Sequence, residues 1–154
     1  MIKYLLVKDI LEVIMEKHEL GMKFINIIKK EKSPIQQLKE LEQGENGILR
    51  ALLLFEKEEK KEITPGDLCT SQNLTSGRIA STLKSLEKKA YIKRITDCKD
   101  HRRIFIQLTE KGRSIAKKIT QKIHQNIQVM IDKLGEKDFS EFIRLLNLVN
   151  SNDL

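Results

Sequence analysis

Hydrophobic residues recur every three or four positions along most of the chain and alternate with polar residues in only one short region. Spacing of three and four keeps apolar side chains on one face of a helix, whereas alternation suits a strand. The pattern predicts six helices and two strands. The predicted helices cover residues 1–32, 45–60, 66–71, 76–89, 110–134 and 136–150, the strands cover residues 91–95 and 104–108, and residues 35–42 form a short stretch that the pattern does not assign.

Capping residues and helix breakers mark the boundaries of these elements. Pro34 ends the first helix, because the residue before a proline disfavours the helical conformation. Thr64 is expected to cap the short helix, since Pro65 suits the first position of a helix. Thr75 is expected to cap the following helix, and Gly135 is expected to stop the long helix that starts at residue 110.

The order of elements in the middle of the chain predicts a winged helix. A short helix, a turn at Asn73 and a longer helix with a small polar face form a helix-turn-helix candidate, although an ordinary helical hairpin has the same pattern. The two strands follow directly and are joined by a turn that reads DCKDHRR. The sequence therefore predicts a mainly α fold with a small β-hairpin, in which a winged helix-turn-helix lobe is flanked by N- and C-terminal helices.

The net charge of +7 is concentrated in this middle region. Residues 65–113 contain 11 Lys or Arg and 5 Asp or Glu, a balance of +6, whereas the remaining 18 basic and 17 acidic residues give +1. Such a basic segment suggests duplex nucleic acid as the partner, although a lysine-rich solvated surface would look similar. The basic tip of the hairpin is then expected to lie beside phosphates, with one arginine in the minor groove.

Asp100 lies two residues before Arg102 in this tip, so it is expected to orient the guanidinium by a forked hydrogen bond. An Asp–Arg pair that only shapes the turn is the alternative.

Other classes of protein are poorly supported. The chain has no run of about 18 apolar residues and no recognisable leader, so a single domain of residues 1–154 in the cytoplasm is expected, without membrane contact. No nucleophile elbow or phosphate-binding glycine loop occurs, so neither an enzyme nor a cofactor is expected. No metal site is expected either, because a solvated helical face accounts best for the acidic residues around His18. The histidines are His18, His101 and His124, and these acidic residues are Glu12, Glu16 and Glu19.

Residues 63–112 resemble the MarR family of bacterial winged-helix regulators. The resemblance rests on Leu74-Thr75 at the start of the second helix, Leu86-Glu87 near its end, Asp100-His101-Arg102 in the turn, and Leu108-Thr109 with Gly112. There are two departures: Ala90 stands where glycine is usual, so a different helix cap is expected, and Ala80-Ser81 stands where an arginine usually contacts DNA, so Arg78 is expected to replace it.

The resemblance implies a transcriptional regulator, a repressor in most family members, that binds a palindromic operator as a homodimer. Residues 1–43 and 114–154 would supply the dimerisation helices and residues 44–113 the DNA-binding lobe. A small aromatic or anionic effector would release the DNA. The residues expected to contact DNA are Thr75, Ser76, Gly77, Arg78, Ser81, Thr82, Lys84, Ser85, Lys99, His101, Arg102 and Arg103, with base edges read from the second helix and phosphates bound by Lys84, Lys99 and Arg103.

Two alternatives share this fold. In the first, the regulator responds to oxidation of Cys98, which lies in the basic turn, whereas Cys69 is expected to be packed; two cysteines alone do not make a disulfide framework. In the second, the winged helix binds a protein and no DNA. Salt dependence separates this second alternative from DNA binding. Every phosphate that is neutralised contributes about 0.9 to the log–log slope, which is the steepness of the fall in log affinity with log salt concentration.

Overall fold

The computed structural model describes residues 2–98, 100 and 102–151, with side chains from residue 14 onward. Its order of elements is that of a winged helix, with three helices before the helix-turn-helix and one long helix after the hairpin. The elements are α1 (Ile2–Lys29), α2 (Pro34–Leu41), α3 (Gly44–Lys57), α4 (Pro65–Gln72), α5 (Ser76–Lys88), β1 (Ile92–Thr96), β2 (Ile104–Leu108) and α6 (Glu110–Asn150). The mainly α fold with a two-stranded hairpin is confirmed, and the unassigned stretch 35–42 is the helix α2.

The chain divides into two compact units, residues 1–37 and residues 38–154. The first unit contains α1, whose described side chains are exposed along its whole length. The side chains of Leu6, Ile10, Glu12 and Val13 lie outside the described residues. The division into dimerisation helices and a DNA-binding lobe stays a prediction.

The second unit has a single apolar core, to which α3, α4, α5, both strands and the first half of α6 contribute. The apolar faces predicted for α3 and α5 point into it, and Ile48, Leu52, Ile79 and Leu86 are completely buried. Full burial of such side chains stabilises a fold by about 1.5–3 kcal/mol each. This core holds α5 and the hairpin together as one lobe.

Thr64 and Thr75 lie at the N-caps of α4 and α5 as predicted, but only Thr64 makes a capping hydrogen bond with its side chain. Thr64 accepts a hydrogen bond from the Asp67 amide, and Asp67 accepts one from the Thr64 amide at 2.8 Å, which completes a capping box. Thr75 also precedes its helix, but its side chain makes no capping hydrogen bond. The expectation of a side-chain cap at Thr75 was therefore wrong.

The C-terminal end of α5 also differs from expectation. Ala90 adopts the left-handed conformation, with φ +58°, and the Tyr91 amide donates to the Leu86 carbonyl at 2.9 Å. This is the left-handed helix ending that glycine favours, formed here by alanine at a steric cost. The prediction of a different cap was wrong, because the hydrogen bonds and the burial of Ile92 just beyond keep the chain in this path.

The junction between the hairpin and α6 explains the Leu-Thr-x-x-Gly pattern. Thr109 accepts a hydrogen bond from the Gly112 amide at 3.0 Å and donates to the Ala90 carbonyl at 2.8 Å. A Cβ on Gly112 would lie 1.9 Å from the Tyr91 carbonyl oxygen. The first turn of α6 is thus in backbone contact with the start of the hairpin, at a distance that only glycine permits.

A single residue interrupts α6. Gly135 has φ 77° and ψ 157°, which are not helical angles, so it separates residues 110–134 from residues 136–150. The predicted stop at Gly135 is confirmed. Along the part of the chain that the structure describes, no helix combines the length and the apolar character that crossing a bilayer requires.

Candidate nucleic-acid interface

The helix-turn-helix consists of α4, a tight turn and α5. Asn73 ends α4 in the left-handed conformation, with φ 49°, which asparagine tolerates better than most residues. The Leu74 amide then donates to the Cys69 carbonyl at 3.1 Å. Leu74 and Cys69 are both partly buried against the core, so the turn is fixed on its inner side and α5 leaves it with one face toward solvent.

We call this solvent-facing surface the outward face of α5; it comprises Gly77, Arg78, Ser81, Lys84 and Lys88. Most of the residues predicted to contact DNA lie on or beside this face. Thr75, Ser76, Gly77, Arg78, Ser81 and Lys84 are exposed, and Thr82 and Ser85 are half-buried. The Thr82 hydroxyl donates to the Arg78 carbonyl at 2.9 Å.

Ser85 is engaged within the protein. Its hydroxyl donates to Glu45 Oε1 at 2.6 Å, and Lys89 Nζ donates to both oxygens of the same carboxylate at 2.8 and 2.6 Å. The hydrogen bond from Lys89 and then that from Ser85 lower the pKa of Glu45. Glu45 therefore ties the C-terminal half of α5 to the first turn of α3, and Ser85 serves this contact in the free protein.

The hairpin forms the wing. Its strands pair antiparallel, from Ile92 opposite Leu108 to Thr96 opposite Ile104. At the tip, the Asp97 amide donates to the Arg103 carbonyl at 3.0 Å. Of the residues predicted to bind DNA, Lys99 and His101 lie outside the described residues.

Asp100 contacts the backbone of Arg102. The Arg102 amide donates to Asp100 Oδ1 at 3.0 Å, and the Arg103 amide donates to the Asp100 carbonyl at 2.9 Å. The forked hydrogen bond to the guanidinium is not formed among the described residues, because Asp100 closes the turn with its side chain instead. The Arg102 side chain extends from the tip and is exposed.

The cations of the lobe fall into two groups. Six are paired with carboxylates: Arg50 with Glu42, Lys60 with Asp67, Lys89 with Glu45, Arg94 with Glu87, Arg103 with Glu62 and Asp97, and Arg113 with Glu56 and Glu110. The pKa of Arg113 is raised, first by its hydrogen bonds to Glu56. Within the described residues, eight exposed cations have no such partner: Arg78, Lys84 and Lys88 on α5, Lys93 and Arg102 on the wing, Lys57 and Lys61 near the end of α3, and Lys111 in the first turn of α6. Five of these eight lie on the outward face of α5 and on the wing, so most of the uncompensated positive charge lies there.

Lys88 and Lys93 belong to this second group and were not among the residues predicted from the sequence to bind DNA. Lys88 follows Ser81 and Lys84 at intervals of seven and four residues, which places all three on one face of a helix. That spacing was the signal that would have identified Lys88. Lys93 is an exposed position of β1, and its contribution becomes apparent only when the wing is placed beside α5.

The remaining candidate sites are a metal site and a reactive thiol. Within residues 2–98, 100 and 102–151, no three His, Cys, Asp or Glu side chains are arranged to hold a metal ion. Cys69 is half-buried and Cys98 is exposed in the wing, and both are free thiols.

A helix-turn-helix with an exposed polar second helix, followed directly by a basic hairpin, defines a winged-helix regulator. The sequence profile described as transcriptional regulator SarA/Rot matches residues 23–119. The chain belongs to this SarA/Rot family of transcriptional regulators.

The chain is also similar to a curated regulator from Staphylococcus. It is 35% identical over 103 residues to the HTH-type transcriptional regulator SarZ of Staphylococcus haemolyticus, across 65% of this chain and 61% of that protein. The chain thus spans less than two thirds of the length of that relative. The relatives found are transcriptional regulators and not enzymes.

The structural comparisons support the fold. The Staphylococcus aureus MepR–DNA complex matches 85% of this chain and 94% of that one at 22% identity, with a TM-score of 0.63. Reduced MarR from E. coli matches 84% and 95% at 20% identity, with a TM-score of 0.61. The resemblance to MarR-type winged-helix regulators is confirmed.

Proposed function

We propose that this chain is a cytoplasmic, sequence-specific DNA-binding regulator that represses transcription as a homodimer. The observation that carries the proposal is the distribution of uncompensated charge. Five of the eight described cations of the lobe that lack a carboxylate partner lie on the outward face of α5 and on the wing. Phosphates supply the missing counter-charge in a complex, and phosphate contacts provide most of the affinity of such proteins.

Small polar side chains between the cations fit a role in base reading. Ser76, Arg78, Ser81 and Thr82 would face base edges in the major groove, while Lys84 binds a phosphate beside them. The exposed guanidinium of Arg102 would enter the minor groove, where a narrow groove concentrates negative potential. Lys88 on α5 and Lys93 on β1 would add phosphate contacts.

Homodimer formation is supported by apolar surface that the single chain leaves uncovered. Large contiguous apolar patches on a soluble protein mark interaction sites. In α1 the exposed apolar residues are Ile14, Met15, Leu20, Met22, Phe24, Ile25, Ile27 and Ile28, and in α6 beyond residue 128 they are Val129, Leu134, Ile143, Leu145, Leu146, Leu148 and Val149. A second copy would cover these faces, and the two-fold symmetry of the dimer would require half-sites about 34 Å apart.

Release of the DNA by a small aromatic or anionic effector forms part of the proposal, on the strength of the resemblance to the MarR family. A screen of such compounds for loss of operator binding tests it. Binding that no compound weakens would remove this part and leave the DNA-binding proposal intact.

The central experiment selects bound sites from random duplex DNA and then measures affinity by fluorescence anisotropy at several salt concentrations. We expect paired half-sites one helical turn apart and a log–log slope that falls by about 0.9 for every phosphate contact removed. Arg102→Ala is expected to weaken binding by roughly tenfold or more, within the 1–3 kcal/mol typical of a base-contacting arginine.

Lys133→Ala is the matched control, because Lys133 is an exposed cation in the second half of the long helix, away from the wing. It is expected to leave the affinity almost unchanged. Equal losses for Arg102→Ala and Lys133→Ala would reject the wing as a DNA contact. A monomer at micromolar concentration, or no binding to any duplex in dilute buffer, would reject the proposed function.

A further inference from the structure

The segment that joins α3 to α4 contacts both the helix-turn-helix and the wing; we call residues 58–64 the α3–α4 connection. Lys60 Nζ donates to Asp67 Oδ1 at 2.7 Å, which attaches the connection to the first turn of α4. The Ile106 amide donates to the Ile63 carbonyl at 2.8 Å, which attaches it to β2. The connection is thus a direct link between the helix-turn-helix and the wing.

A third contact of this connection involves an arginine predicted to bind phosphate. Arg103 Nη2 donates to Glu62 Oε2 at 3.1 Å, and Arg103 Nη1 lies 3.7 Å from Asp97 Oδ2. The same guanidinium lies over the Phe105 ring, 5.1 Å from its centroid. An arginine that stacks and pairs at once is held in one direction more firmly than a lysine would be.

The charges around Arg103 are unfavourable for a phosphate. The carboxylates of Glu62 and Asp97 both lie beside the Arg103 guanidinium. Like charges repel, so a phosphate that approaches Arg103 meets carboxylates already placed next to it. By contrast, the Arg102 guanidinium next to it has no carboxylate partner among the described residues.

We propose that Arg103 is a positioning residue, which the Glu62 carboxylate holds so that the wing keeps a fixed direction, and that Arg103 is not a phosphate contact. This inference rests on the proposed DNA binding and deepens it. The pair attaches the tip of the wing to the α3–α4 connection, and the wing then presents Arg102 to the DNA. Exposed ion pairs contribute little to the stability of the fold, so the effect of this pair appears in the affinity for DNA.

Salt dependence distinguishes a positioning residue from a phosphate contact. Arg103→Gln and Lys133→Gln each remove one positive charge, and both are expected to keep the log–log slope of the wild type. Arg103→Gln is nevertheless expected to weaken binding about fivefold, near the upper limit for an exposed pair. Lys84→Gln, which removes a proposed phosphate contact, is expected to lower the slope by about 0.9. A loss of slope of that size in Arg103→Gln would overturn the proposal.

Exchange of the two charges provides the rescue test. Glu62→Arg and Arg103→Glu are each expected to weaken binding to the selected duplex, because each single change places like charges together. The double variant restores an opposite pair at the same net charge, and its affinity is expected to lie within about twofold of the wild type, as for directly coupled residues. A double variant as weak as Arg103→Glu alone would overturn the proposal.

A measurement without DNA keeps this inference separate from the proposed function. The Asp97 amide donates to the Arg103 carbonyl and the Ile106 amide to the Ile63 carbonyl, so the first amide reports on the tip of the wing and the second on the attachment of β2 to the α3–α4 connection. Hydrogen exchange at these amides is expected to become several-fold faster in Glu62→Gln and Arg103→Gln and to be slow again in the double charge exchange. Unchanged exchange would overturn the positioning role, whereas failure of the wild type to bind any duplex would reject only the DNA-binding proposal.

Discussion

The left-handed residue at the end of α5 leads to a quantitative prediction about stability. Ala90 has φ +58°, a conformation in which its Cβ crowds the backbone. A non-glycine residue in this region costs roughly 1–2 kcal/mol. Ala90→Gly removes this cost and leaves the hydrogen bond from the Tyr91 amide to the Leu86 carbonyl in place.

The gain is reduced by the unfolded chain, in which glycine has more freedom than alanine. That effect amounts to about 0.4–1 kcal/mol, so Ala90→Gly is expected to raise the free energy of unfolding by about 0.5–1 kcal/mol. Ala80→Gly is the matched control, since Ala80 is an exposed residue inside α5. It is expected to lower the free energy of unfolding by about 1 kcal/mol, because glycine is unfavourable within a helix.

Urea denaturation followed by circular dichroism measures both variants, at one fixed protein concentration because association of chains shifts the apparent stability. The same amino-acid change is made twice, so the difference between the variants reports the backbone conformation of the folded state. We expect a difference of about 1.5–2 kcal/mol. If Ala90→Gly destabilised the protein as much as Ala80→Gly does, the strain assigned to Ala90 would be absent.

Three further predictions follow from single contacts. Gly112→Ala is expected to cost about 3 kcal/mol or more, because its Cβ would lie 1.9 Å from the Tyr91 carbonyl oxygen; a melting temperature equal to that of the wild type would contradict this close approach. Lys60 first, and then the capping hydrogen bonds, lower the pKa of Asp67 from 3.8 to about 2, so its carboxylate stabilises the fold above pH 4 and loses this contribution as the pH falls from 4 toward 2. After allowance for solvent screening the contribution is about 1 kcal/mol. Urea denaturation at several pH values between 2 and 7 should show this pH-dependent loss of stability in the wild type and not in Asp67→Asn. Alkylation of Cys98 is expected to leave operator affinity unchanged, and a large loss in gel-shift assays would favour the redox-responsive alternative.

The fold follows from the sequence wherever the signal is local. The apolar spacing of α3 and α5 specifies their buried faces, and Thr109 and Gly135 act on the few residues beside them. Helix periodicity and capping are set within a turn or two of the chain, so they are visible without knowledge of the tertiary structure.

The contacts that the sequence did not predict join distant positions. Ser85 meets Glu45 40 residues away, and Arg103 meets Glu62 41 residues away. No local pattern distinguishes a serine that faces DNA from one that a neighbouring helix engages, since packing of the lobe decides which carboxylate lies nearby. The left-handed path at Ala90 was missed for a related reason, because tertiary contacts around the hairpin overrode the preference of alanine.

The break in α6 at Gly135 uncouples the orientation of residues 136–150 from that of residues 110–134. In a continuous helix, inserting or deleting one residue rotates everything beyond it by about 100°, so changes near the C-terminus would be constrained by the buried Ile119 and Ile123. The non-helical angles of Gly135 break that phase. The direction in which residues 136–150 face is therefore set at this one residue and not by the buried half of α6.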